Sequence, residues 1–144
     1  MVKAIFSLQF SIFSFQCLCA PLLAQDYYRI ETYKLPEGVN FEASGLAVLP
    51  DGKLAVALRK GEIWIEGEKG FQRFASGLHE ILGLAYHDGA LYATQRAEVT
   101  KIRDTDGDGI ADEYLTAAEG WGVSGAYHEY AYGPVFDASG NLFT

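Results

Sequence analysis

Gly45-Leu-Ala-Val-Leu-Pro-Asp-Gly52-Lys-Leu-Ala-Val-Ala57 returns twice along the chain. The second copy is Gly83-Leu-Ala-Tyr-His-Asp-Gly89-Ala-Leu-Tyr-Ala-Thr94, and the third is Gly133-Pro-Val-Phe-Asp-Ala-Ser-Gly140-Asn-Leu-Phe-Thr144. Each reads as a short apolar strand, a turn ending in glycine, and a second apolar strand. Glycine after Asp or Ser supplies the positive φ that a tight hairpin needs. The copies start at residues 45, 83 and 133, a period of 38 and then 50 residues. Hairpins at such a period are the sequence pattern of propeller blades.

The rest of each period supplies two more strands. In the first unit they are Glu62–Ile65 and Phe71–Ala75; in the second, Val99–Arg103 and Glu113–Thr116. Alternation and β-branched or aromatic residues favour strand over helix, although Tyr114–Glu119 also fits a short helix. The expected fold is therefore an all-β propeller built of four-stranded antiparallel blades. About two and a half blades are present, because the third unit reaches only its second strand at Thr144. Open sheet edges of that kind invite self-association, so 25–144 is expected to be the N-terminal part of a longer propeller domain.

The start of the chain has a different character. Met1 and Lys3 precede an apolar run that ends Leu22-Leu23-Ala24, the pattern of a secretory signal peptide spanning 1–24. Ser7, Gln9, Ser11, Ser14 and Gln16 interrupt the run, which makes it a poor spanning helix. A secreted or periplasmic protein is expected. Both cysteines, Cys17 and Cys19, lie in the leader, so 25–144 excludes disulfide scaffolds, Cys-ligated zinc, iron–sulfur clusters and covalent haem. That segment carries ten basic and nineteen acidic side chains. A net charge of −9 argues against a nucleic-acid partner, since phosphate neutralisation needs a basic surface.

Antiparallel order sorts the loops by face. If strands are counted outward from the axis, second-to-third loops and blade-to-blade loops share one face. That face carries Arg59-Lys60-Gly61, His79-Glu80, Gln95-Arg96-Ala97-Glu98 and the long Trp121–Tyr132 insert. Arg59 and Arg96 occupy matching places, where two guanidiniums would suit a carboxylate-bearing ligand; a solvated strand end is the plain alternative. Imidazole is the side chain best suited to take a proton near neutral pH. His79 reads as closing its blade through a hydrogen bond. For His128 both a closing bond and a general base fit. Trp64, Trp121 and the tyrosines read as blade packing before sugar platforms.

The opposite face carries Asp104-Thr-Asp106-Gly-Asp108-Gly109-Ile110-Ala-Asp112. Carboxylates stand at loop positions 1, 3, 5 and 9, glycine at 6, and the Ile110 carbonyl at 7. Calcium takes six to eight hard oxygens at about 2.3–2.6 Å, and this spacing wraps a chain around one ion. Leu115 stands where an EF-hand has its bidentate Glu, so the loop suits a β-protein and a structural ion. An acidic solvated turn is the alternative, at the cost of crowding four like charges. The sequence contains no Gly-x-Ser-x-Gly elbow, phosphate loop or dinucleotide fingerprint.

Ser44–Ala57, Gly77–Ala85, Thr94–Glu98, Asp104–Asp112 and Tyr127-His-Glu-Tyr130 together resemble secreted bacterial dehydrogenase-like propellers related to the soluble quinoprotein glucose/sorbosone dehydrogenases. The resemblance implies a β-propeller that is six-bladed in full length, and oxidation of a sugar hydroxyl or aldehyde by hydride transfer to pyrroloquinoline quinone. His128, before Gly133-Pro-Val-Phe, matches the family's base. Where the family has Gly-Gly-Arg shortly after that His, this chain has Glu129-Tyr130-Ala131. Arg59, Gln95 and Arg96 are then candidates for the cofactor and ligand rim. The implied partners are a sugar or other small substrate and an electron-accepting haem protein or domain beyond Thr144. Two other readings stand beside it. One is a non-catalytic propeller that binds glycans or proteins. The other is a calcium-dependent lactonase, disfavoured because its metal must sit in the channel.

Overall fold

The alternation in Leu54-Ala-Val-Ala-Leu58 shows how one blade is made. Large side chains point to one face, where Val56 and Leu58 pack with Phe71, Trp64 and Phe41. Alanines point to the other, where Ala55 and Ala57 let the next blade approach closely. The computed structural model describes residues 29–126 and 128–144, so the leader and Tyr127 lie outside the described residues. The chain divides into Met1–Glu31 and Thr32–Thr144. In the first unit Arg29 and Glu31 form an exposed ion pair at 3.0 Å; every strand among the described residues lies in the second. Among the described residues, no helix is long and apolar enough to cross a membrane.

The first blade is β1 (Ala43–Val48), β2 (Leu54–Leu58), β3 (Glu62–Gly67) and β4 (Gly70–Ala75), hydrogen-bonded in that order. The second is β5 (Leu84–His87), β6 (Ala90–Thr94), β7 (Glu98–Arg103) and β8 (Glu113–Glu119), again in sequence order. The third unit is the hairpin β9 (Val135–Phe136) and β10 (Leu142–Phe143). Every pairing is antiparallel. The described residues are thus all-β and form a partial propeller, as the repeat predicts.

The short helix that Tyr114–Glu119 also allows does not form. These residues are strand β8, which pairs along β7 from Arg103↔Glu113 to Glu98↔Glu119 with one irregularity at Val99/Thr100. A six-residue helix is too short to offset its nucleation cost, while the exposed edge of β7 offers a full ladder of backbone partners.

Two kinds of turn join the inner strands. Asp88 and Gly89 have φ of 45° and 75°, the doubly left-handed pair of a two-residue type I′ hairpin. The first and third hairpins use three residues instead. In them Gly52 and Gly140 (φ 86° and 81°) donate to the carbonyls of Leu49 and Asp137.

The glycine that opens each repeat has a different task. A Cβ on Gly45 would lie 2.9 Å from the Leu84 amide nitrogen, and one on Gly83 only 1.2 Å from the Gly133 carbonyl oxygen. Neighbouring inner strands meet backbone to backbone at these positions. Between the first two blades lies the main core. Ile63, Ile81 and Ile102 are fully buried there, each contributing roughly 1.5–3 kcal/mol of transfer free energy. Tyr92 and Val99 pack with Phe136, Leu142 and Trp121 against the third hairpin.

Candidate functional site

Because strand order follows sequence order within each blade, the β2–β3, β4–β5, β6–β7 and β8–β9 connections gather at one end. Glu80, in the β4–β5 connection, is at the centre of their charges. Its carboxylate lies 3.1 Å from Arg96 Nη1, 3.7 Å from Arg59 Nη1 and 3.7 Å from His79 Nε2. Arg59 turns its other nitrogens to Glu42 at 3.0 and 3.2 Å, and Lys60 stands 3.8 Å from the same carboxylate. Arg96 and Glu80 are the more enclosed pair, with side chains 16% and 23% exposed. The Arg59–Glu42 pair is more open and contributes about 0–1 kcal/mol.

Gln95 is spent inside the protein. Its side-chain carbonyl accepts the His79 backbone N–H, and its amide donates to Thr100 and Glu98. The bond that ties the His79 loop to the second blade is therefore made by backbone. The imidazole itself is 71% exposed and approaches Glu80 only loosely.

Arg96 reaches across to the long insert. Its Nη2 donates to the carbonyls of Ala126 and Glu129, each at 3.4 Å, and its guanidinium lies 5.0 Å from the centre of the Tyr130 ring. The indole N–H of Trp121 donates to the Arg96 carbonyl at 2.8 Å. His128 is exposed on this turn. Beside it a cavity of about 440 Å³ is walled by Trp121, Val123, Tyr130 and Tyr132, with Arg96 and Glu129 as its charges. Aromatic walls with a few converging polar groups are what small-molecule sites are made of.

At the other end, Asp104, Asp106 and Asp108 bring carboxylate oxygens within 4.8 Å of one another. The loop is also shaped from within. Asp104 accepts the N–H groups of Gly109 and Gly107, the first of these chiefly holding its carboxyl below the ordinary range. Asp112 accepts the hydroxyl and the N–H of Thr105, and the hydroxyl is the main cause of its lowered value. Ile110 is largely exposed, and its N–H donates to Asp108 at 2.8 Å.

The structure thus joins Arg59 and Arg96 through a shared carboxylate and sets Arg96 beside the His128 turn. It keeps the aspartate loop apart from both. The part played by Glu80 was not evident from sequence. The one signal is an Arg recurring at matching places in two blades, with an acid between them in the chain.

No family model matches the sequence, and no curated protein matches it. Among solved structures, the chain is similar to the crystal structure of a Thermus thermophilus oxidoreductase given the provisional description glucose dehydrogenase. The TM-score is 0.58 at 23% identity, over 77% of this chain and 39% of that one. The chain therefore spans about two fifths of that structure's length, and the likeness shows the fold: antiparallel four-stranded propeller blades.

Proposed function

We propose that this chain forms the first blades of an exported sugar dehydrogenase that uses pyrroloquinoline quinone, with His128 as the base. The observation that carries the reading is the cavity of Trp121, Tyr130 and Tyr132 beside the His128 turn. Likeness in fold to an oxidoreductase described as a glucose dehydrogenase supports it. Ring faces suit the apolar face of a pyranose, and the Glu129 carboxylate can accept its hydroxyls. A bound quinone would supply the acceptor for the hydride of the sugar carbon. His128 receives the hydroxyl proton, a role imidazole fills near neutral pH.

Of the two arginines, Arg59 is the more open to such a group. Its Nε and Nη2 hold Glu42 and its Nη1 stands 3.7 Å from Glu80, so a quinone carboxylate would have to share this 45% exposed side chain with the protein's own acids. Gln95 and Arg96 already hold protein partners, so they would shape the rim from behind. Turnover of an aldose with an artificial electron acceptor, after loading with quinone and calcium, tests the reading. A protein that retains glycans but oxidises none would support a carbohydrate-binding propeller, which the same aromatic cavity also suits.

Calcium on the far loop is the structural part of the proposal. Asp104, Asp106 and Asp108 offer hard oxygens at close quarters. The Ile110 carbonyl adds another, and Asp112 keeps lone pairs beyond its two bonds to Thr105. A ligand at 100 times its Kd stabilises by about 2.7 kcal/mol. Asp106→Asn with Asp108→Asn is expected to remove most of the rise in melting temperature that calcium gives the parent. An equal rise in both proteins would sink the assignment.

A further inference from the structure

Glu80 adopts a φ of 45°, the left-handed region that glycine enters freely and other residues enter at a cost. A glycine would satisfy that backbone, so what the site gains from glutamate lies in the carboxylate. One oxygen faces Arg59 at 3.7 Å and the other faces Arg96 at 3.1 Å. The far edge of the Arg96 fork then falls on the carbonyls of Ala126 and Glu129, two residues before His128 and one after it. The central carbon of the same guanidinium lies over the Tyr130 ring, 5.0 Å from its centre.

We infer that Glu80 is a positioning residue: by anchoring one edge of Arg96, it aims the other at the turn that carries His128. The inference rests on the reading of His128 as the base, but its geometry does not depend on that reading. Contacts of 3.4 Å are individually weak, and they hold the turn only while the fork cannot rotate. The planar guanidinium transmits orientation in a way that a lysine ammonium cannot. Glu80, at the head of the second blade, thus governs a loop some fifty residues further along the chain.

Glu80→Gln, Glu80→Gly and Arg96→Lys in the full chain test the inference. Hydrogen exchange at the amides of residues 122–132 should accelerate about tenfold or more in all three, the scale of a lost charge-assisted bond. Exchange in β2, β3, β6 and β7 should stay at the parental rate. Glu80→Gly should melt no lower than Glu80→Gln, since glycine relieves the left-handed strain while losing the same anchor. With aldose as substrate, kcat/KM should fall about tenfold in all three, because the loosened segment carries both the base and the cavity walls Val123, Tyr130 and Tyr132. Unchanged exchange in 122–132, or exchange that rises equally in the blade strands, overturns the inference. If the parent oxidises no aldose, the sugar-dehydrogenase reading fails, and the loop exchange decides the role of Glu80 on its own.

Discussion

Under the sugar-dehydrogenase proposal, His128→Gln is expected to lower aldose turnover by about 10²–10⁴, the range that a positioned general base supplies. Quinone binding should survive the change, because the proposed base acts on the substrate hydroxyl and does not hold the cofactor. His79→Gln should keep turnover within a few-fold of the parent. Its imidazole is 71% exposed, and the bond that fixes its loop comes from its backbone N–H to Gln95. The contrast matters more than either loss, since unfolding would damage turnover and the thermal melt together. Parallel initial-rate and melting measurements on both variants check it. Near-parental turnover in His128→Gln would place the base elsewhere.

Gly83→Ala has the largest expected effect on stability. The new Cβ would fall 1.2 Å from the Gly133 carbonyl oxygen, so the third hairpin must move away from the second inner strand. Gly83 is not among the positive-φ glycines, so the cost is one of packing and not of backbone strain. Over-packing of this kind reaches about 3 kcal/mol, a drop in Tm of roughly 10 °C or more in a domain of this size. Gly125→Ala is the control, since a Cβ there meets nothing within 4 Å. Calorimetry that finds the two variants melting together would show that the inner strands do not meet at these glycines.

These two positions also show what could be read without a structure. The glycines at 45, 83 and 133 announced a repeat, and hairpin chemistry gave the strand pairs, because turns and alternation are local properties of the chain. Why those glycines recur was not legible: the reason is the approach of one blade to the next, which no local pattern encodes. Tyr114–Glu119 was ambiguous for a related reason. Its strand form depends on a partner, β7, and not on its own composition. At the site, loop positions placed Arg59, Arg96 and His128 at one end of the blades. Glu80 was legible only as an acid between two matching arginines in the chain; that one left-handed glutamate faces both depends on how the blades bring their loops together. The aspartate loop was the most legible element, since its spacing alone gathers Asp104, Asp106 and Asp108.

Anaerobic absorption spectroscopy decides whether the protein oxidises a sugar through a bound quinone, as proposed. The protein is mixed with calcium and pyrroloquinoline quinone, freed of unbound cofactor, and then given an aldose. The quinone should stay with the protein, and its absorption should change to that of the reduced form only on addition of sugar. In His128→Gln the quinone should be retained and the change should slow by about 10²-fold or more. A protein that retains no quinone, or retains it with no response to any aldose, would contradict the account.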